Sequence, residues 1–293
     1  MTLPALGAVT ANESLGALRQ LIARPSTERS CPHWLLDQSA LPQRGWLGRN
    51  IGRAEWIDLL GGASQDRLNG ASPIIVSAAG RNEAANLHFA EQLYGVGRFA
   101  NAIGLIDSEL PIAELQATMG RRARVDLSGN LEAVLRYFDT RTLPLLPKLL
   151  SASQYANFME GLQRWTYLDR WGDVNSLPPA DASVVPAAAS NRLVLDEAQE
   201  AMLIDDGLTD AVIDLLLTQQ HPAVQERSPP EQFDLIDPWV DAARAVGLHD
   251  PFEALAFVGK AVAEGTEFCQ SEWWRTRLND YLQQRCSIEE VFA

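Results

Sequence analysis

A chain of 293 residues with 46% apolar side chains holds enough hydrophobic material for one large domain or two smaller ones. Its formal charge of −14 argues against partnership with nucleic acid phosphates or anionic lipid, and favours basic protein surfaces. The excess is uneven: residues 1–190 hold 18 acids and 17 bases, whereas residues 191–293 hold 20 acids and 7 bases.

In chain order, Leu15, Leu18, Leu21 and Ile22 fall on one side of a predicted helix from Asn12 to Ala23, which ends before Pro25. The stretch HWLLDQS, residues 33–39, reads as a short buried strand, with Pro42 and Gly45 as turn signals. Residues 53–60, RAEWIDLL, read as a helix with Trp56, Leu59 and Leu60 inward, and SPIIVSAA from Ser72 as a second buried strand. A helix over Glu83–Tyr94 precedes a strand within FANAIGLIDS, residues 99–108, and Pro111 opens a helix that Gly120 is expected to end. A strand over Val134–Phe138 then leads into helices over Thr142–Leu150 and Gln154–Leu162, followed by RWTYLDRW, residues 164–171.

This alternation predicts an α/β N-terminal lobe over residues 1–175, short strands alternating with helices. Residues 176–191, rich in proline, serine and alanine, are the expected linker or domain edge. Residues 192–293 form an acidic, mostly α-helical C-terminal lobe. Its helices are predicted over Asp196–Leu217, Glu231–Val246, Pro251–Glu264 and Ser271–Gln284, with a break at Gly207 and a stop at Gly247.

Familiar reaction centres are missing from the text of the chain. Neither G-x-S-x-G, nor a phosphate loop, nor G-x-G-x-x-G occurs. Three widely spaced cysteines, Cys31, Cys269 and Cys286, fit a reducing cytoplasm better than a disulfide scaffold. Cys31 and His33 begin no completed zinc pattern. No secretory signal or spanning stretch of about 18 apolar residues is present, so a cytoplasmic protein without membrane insertion is expected. No cofactor or metal is expected.

Two surface candidates emerge from the last third. Asp205, Asp206, Asp210 and Asp214 make an acidic helix face at spacings of four or five, suited to solvent or to a basic partner. Adjacent Trp273 and Trp274 point about 100° apart on a helix, so one can face the core while the other meets a partner. Trp34, Trp56, Trp165 and Trp239 fall among periodic apolar residues and are expected in the core.

The central stretch LRYFDTR, residues 135–141, places two arginines and an aspartate against a buried-strand pattern. On a strand, Arg136 and Phe138 face one way and Tyr137 the other, while Asp139 caps the next helix and reaches either arginine for a charge-assisted bond. Bracing or partner binding needs only Arg136, Tyr137, Phe138, Asp139 and Arg141; catalysis needs groups the motif lacks.

In its wider context, VLRYFDTRTLPLLPKLL resembles the R-F/Y-F/Y-D-P-R element and leucine-rich helix of the type VI secretion adaptor chaperones, the Tap or TEC proteins with a DUF4123-type domain. Thr140 departs from the usual proline. HWLLDQS, LNGASPIIVSAA, RWTYLDRWG and AARAVGLHDPFEALAFVGKAVAEGTEF resemble further parts of that family, over residues 30–175 and more weakly beyond. The resemblance implies a non-enzymatic adaptor that binds a cognate secreted effector in the producing cell and helps load it onto the secretion spike protein. Two alternatives stand beside it: a hydrolase in which His33 or His88 meets carboxylates only in the fold, and a structural subunit retained in the secretion machine.

Overall fold

The computed structural model describes residues 11–23, 30–41, 46–52, 54–61, 72–79, 81–184, 192–265 and 267–292. The turn signals at Pro42 and Gly45, residues 68–71 of LNGASPIIVSAA and residues 185–191 of the expected linker lie outside them. The chain divides into two compact units, Met1–Glu200 and Ala201–Ala293. The first mixes strands and helices and the second is mostly α-helical.

The first unit is organised by a six-stranded sheet in the order β2-β3-β1-β4-β7-β8. These strands are β1 (Cys31–Leu36), β2 (Trp56–Asp58), β3 (Ile74–Ser77), β4 (Ile103–Ser108), β7 (Leu162–Leu168) and β8 (Val174–Ser176). Every neighbouring pair is antiparallel. The central strands are buried on both faces, which is why they read as continuous apolar runs rather than as alternation.

On one face Trp34 and Leu36 lie in register with Val76 and Ile74 on one side and Leu105 and Ile103 on the other. This layer is covered by α1 (Ala11–Ala23) and α3 (Glu83–Gly97), with Leu18, Phe89 and Leu93 in its core. Trp34 meets Phe89 edge-on at 6.0 Å, and Trp46 of α2 (Trp46–Asn50) stacks on the same ring. The opposite face carries Leu35, Ile75, Ile106 and Trp165, all buried.

The helix α4 (Ile112–Arg122) packs against β2 and β3. It runs through Gly120 instead of ending there, because the glycine faces another segment: a Cβ at 120 would stand 2.7 Å from the Leu59 carbonyl oxygen. A small second sheet, β6-β5-β9, follows. It joins β5 (Arg124–Leu127) antiparallel to β6 (Leu131–Val134) and parallel to β9 (Leu193–Val194). Because β9 pairs here, the first unit runs past residue 175 to Glu200.

Three further expectations are corrected. Residues 56–58 form strand β2 rather than part of a helix, since Asp58 turns the chain by accepting from the backbone N–H groups of Leu60 and Gly61; Trp56 is consequently half exposed. The strand expected over Val134–Phe138 ends at Val134. The helix expected over Thr142–Leu150 shrinks to α5 (Leu146–Leu149), because residues 139–146 close successive three-residue turns, with Thr142 N–H on Asp139 O and Leu145 N–H on Thr142 O. The helix α6 (Ala152–Met159) then starts at Ser151 with a capping box completed by Gln154.

Helix α7 (Glu197–Asp206) ends at Gly207, where α8 (Leu208–Thr218) begins. The second unit continues through α9 (Pro222–Gln225), α10 (Pro229–Ala245), α11 (Pro251–Glu264), α12 (Glu272–Leu282) and α13 (Ile288–Phe292). Ser228 with Glu231 and Asp250 with Glu253 cap α10 and α11, each followed by proline in the first turn. Val212, Ile236, Val240, Phe257 and Trp274 lie in its core. Phe257, Phe268, Trp274 and Phe292 form an aromatic cluster with centroid separations of 5.5–6.4 Å.

Candidate functional site

The LRYFDTR stretch lies at one end of the six-stranded sheet, as a turn and not as a strand. Its Asp139 N–H closes on Arg136 O at 2.8 Å, so Arg136, Tyr137 and Phe138 diverge instead of alternating across a pleat. Tyr137 points inward and is fully buried. Its ring meets Phe158 and Trp165 edge-on at 5.5 Å, and its hydroxyl donates to the Met119 carbonyl at 2.5 Å. Burial raises the phenol far above its ordinary range, so it remains a neutral donor. Phe138 is also buried.

Of the two arginines expected within reach of Asp139, Arg141 pairs with it and Arg136 turns to another acid. Arg136 Nη2 donates to Asp37 Oδ2 at 3.2 Å, and Asp139 is held by its near neighbour Arg141. Asp139 Oδ1 accepts from the Arg141 backbone N–H at 3.1 Å and Nε at 2.9 Å, and Oδ2 accepts from Nη2 at 2.6 Å. Asp139 therefore fixes its own turn and does not cap α5, whose N-cap is Leu145.

In both pairs the acid is inside and the base outside. The Asp37 side chain is 1% exposed and that of Arg136 55%; the Asp139 side chain is 11% exposed and that of Arg141 32%. Asp37 closes β1 and is further satisfied by the N–H and hydroxyl of Ser39, at 2.9 and 2.6 Å. Its place in HWLLDQS was visible, but its role as partner to Arg136, 99 positions later, was not.

Thr140 supplies the cross-links. Its N–H donates to Asn101 O at 2.8 Å and its hydroxyl to Leu168 O at 2.6 Å. Asp37 N–H in turn donates to Ala102 O at 3.0 Å. The ends of β1 and β7, the approach to β4 and the motif are thereby sewn into one rim. Asn101 holds a left-handed backbone, φ 53°, a conformation asparagine tolerates better than most residues.

Behind Tyr137, Arg122 lies over the Phe158 ring at 5.9 Å and donates to the Glu160 carbonyl at 2.5 Å. Burial pushes its pKa down to about 10, against the opposing influence of Tyr137 and Glu160. Arg122 lines a shallow pocket with Arg121, Gln154, Asn157 and Leu193.

The other candidates belong to other elements. Trp273 is 50% exposed and Trp274 2%, so only Trp273 offers a surface and Trp274 is withdrawn as a contact residue. Asp206 ends α7 while Asp210 and Asp214 share α8, because Gly207 breaks the continuous face assumed for them. Nearby Asp205 pairs with Arg244 Nε at 3.0 Å. His33 is buried in β1, and neither ring nitrogen has a hydrogen-bond partner among the described residues. His88 is exposed, with Nε2 2.9 Å from Gln92 Nε2. Among the described residues no group of three or more histidines, cysteines and carboxylates is arranged to hold a metal.

Comparison with known families bears on the rim. Residues 33–157 match DUF4123, a domain of unknown function. The DUF4123 segment runs from β1 into α6, and so includes Asp37, Asn101 and all of Arg136–Arg141. It agrees, at the level of the family, with the likeness to Tap and TEC proteins, and it stops before β7 and the helical unit. No curated protein and no solved structure matches the chain.

Proposed function

We propose that the protein is a type VI secretion adaptor chaperone, which binds a cognate effector in the cytoplasm of the producing cell and helps load it onto the spike. The observation that carries this reading is the DUF4123 match over residues 33–157, a segment that includes the Asp37–Arg136 pair and the Asp139–Arg141 turn. Fold alone would not support a function; the reading rests on this named segment. In it, Tyr137, Phe138 and Asp139 organise the rim, and Arg136 and Arg141 face outward from it.

The helical unit supports the same reading through its charge. Residues 201–293 hold 17 acids and 6 bases, a field that attracts a basic segment. Half-exposed Trp273 on α12, with Glu272 and Asp280 on the same helix, supplies an aromatic anchor of the kind enriched at interfaces. Asp206, Asp210 and Asp214 add to the acidic charge of this unit.

Co-expression with the effectors and spike proteins encoded near its gene, followed by affinity capture and size-exclusion chromatography with mass determination, tests the proposal. A defined complex with one effector, formed before secretion, is the expected outcome. Failure to retain any such effector across several salt concentrations overturns it.

A further inference from the structure

Two arginines of the rim, Arg98 and Arg136, lie over aromatic rings and leave most of their side-chain donors unspent. A guanidinium offers five N–H donors in a planar fork. Arg136 commits one of them to Asp37, and its Cζ lies 5.6 Å from the centre of the Phe138 ring. Arg98 lies over the Phe99 ring at 4.3 Å, and its side chain makes no hydrogen bond or ion pair among the described residues. The two arginines stand on neighbouring loops tied together by the bond from Thr140 N–H to Asn101 O. The backbone of Arg98 also packs against Gly172, beside half-exposed Trp171.

The acids of this region are committed to local partners: Asp169, on the turn that holds Gly172, accepts from the backbone N–H groups of Trp171 and Asp173 and from Asn175 Nδ2, and Asp173 accepts from the Ser14 hydroxyl. Asp37 and Asp139 are turned inward beneath their arginines. A chain with net charge −14 therefore presents oriented cationic groups at one end of its sheet.

We propose that Arg98 and Arg136 form a docking surface for an acidic protein segment, whose aspartate or glutamate carboxylates take the unspent donors bidentately. This deepens the adaptor reading and rests on it, by naming the chemistry of one partner at the rim. A protein segment fits better than nucleic acid. The overall negative field repels a long polyanion, whereas a few carboxylates engage donors at distances well inside a screening length of about 8 Å. Stacking on the phenyl rings fixes both guanidiniums beforehand, which lowers the entropy lost on docking.

The test is a fluorescence-anisotropy titration of labelled deca-glutamate with the full chain at low ionic strength. Wild-type protein is expected to bind saturably, Arg98→Gln about tenfold more weakly, and the Arg98→Gln/Arg136→Gln double variant not measurably. Arg285→Gln, an exposed arginine of the helical unit, is expected to match wild type, and labelled deca-glutamine to stay unbound. Because Arg136 also supports Asp37, the double variant can unfold; Arg98→Gln, with its melting curve unchanged, is then the variant whose affinity decides. Absence of saturable wild-type binding, equal affinity for Arg98→Gln, or tighter binding of a single-stranded DNA oligonucleotide overturns the proposal. The titration contains no effector, so its failure is separable from a failure of effector co-purification.

Discussion

Asp37 and Arg136 have unequal shares in the same ion pair. Asp37→Ala removes a buried acceptor of three hydrogen bonds, and is expected to cost about 2–4 kcal/mol. Arg136→Ala leaves the Ser39 bonds in place and removes a half-exposed partner, so about 1 kcal/mol is expected. Urea unfolding followed by circular dichroism measures both, and equal losses would contradict the inside-outside arrangement. His33 adds a pH dependence. Burial lowers its pKa below the ordinary value near 6.5, with Asp107 opposing that shift. Below about pH 6.5 the unfolded chain therefore gains a proton that the native chain resists, and the associated stability, complete above that pH, falls as pH drops toward the folded value. A His33→Leu variant is expected to lose less stability than wild type between pH 7 and the folded pKa; parallel profiles would refute this. The sequence disclosed the motif's residue types but not these pairings, because Asp37 and Arg136 meet only once the sheet has formed.

Among the elements, α4 offers the sharpest test of packing against propensity. Alanine normally favours a helix over glycine by about 1 kcal/mol, yet Gly120→Ala is expected to destabilise by about 1–3 kcal/mol, because the new methyl meets the Leu59 carbonyl. A raised melting temperature would show that the close approach relaxes without cost. The same element explains one sequence error: Gly120 reads as a stop signal when its role is to admit a neighbouring backbone. Long periodic helices such as Pro251–Glu264 were legible to the residue, since proline and a capping box mark the start and Gly265 follows the end. Short β2 was not, because RAEWIDLL fits a helical period as well and only pairing with β3 decides the matter.

For the molecule as a whole, the change from mixed to helical structure was readable from pattern and charge, while strand order depends on contacts between distant segments. The second unit has its own apolar centre around Val240, Phe257 and Trp274. Residues 201–293 expressed alone are therefore expected to give a helical circular dichroism spectrum and a cooperative melt. A Trp274→Ala change in that fragment is expected to cost about 3–5 kcal/mol, whereas exposed Trp273→Ser leaves the melt nearly unchanged. A non-cooperative melt of the unmodified fragment would contradict its independence.

Thr140 also has an implication for descent. It occupies the place where the Tap and TEC motif has proline, yet its N–H and hydroxyl each hold a carbonyl of a different loop. Proline can supply neither donor, so Thr140→Pro is expected to cost about 2–3 kcal/mol here, measured by chemical unfolding. A lineage passing between the two residues must find other donors for the carbonyls of Asn101 and Leu168, or let those loops move apart. The identity of residue 140 is thus expected to change together with its surroundings, so that proline, though usual in the motif this stretch resembles, is a costly single step from this chain.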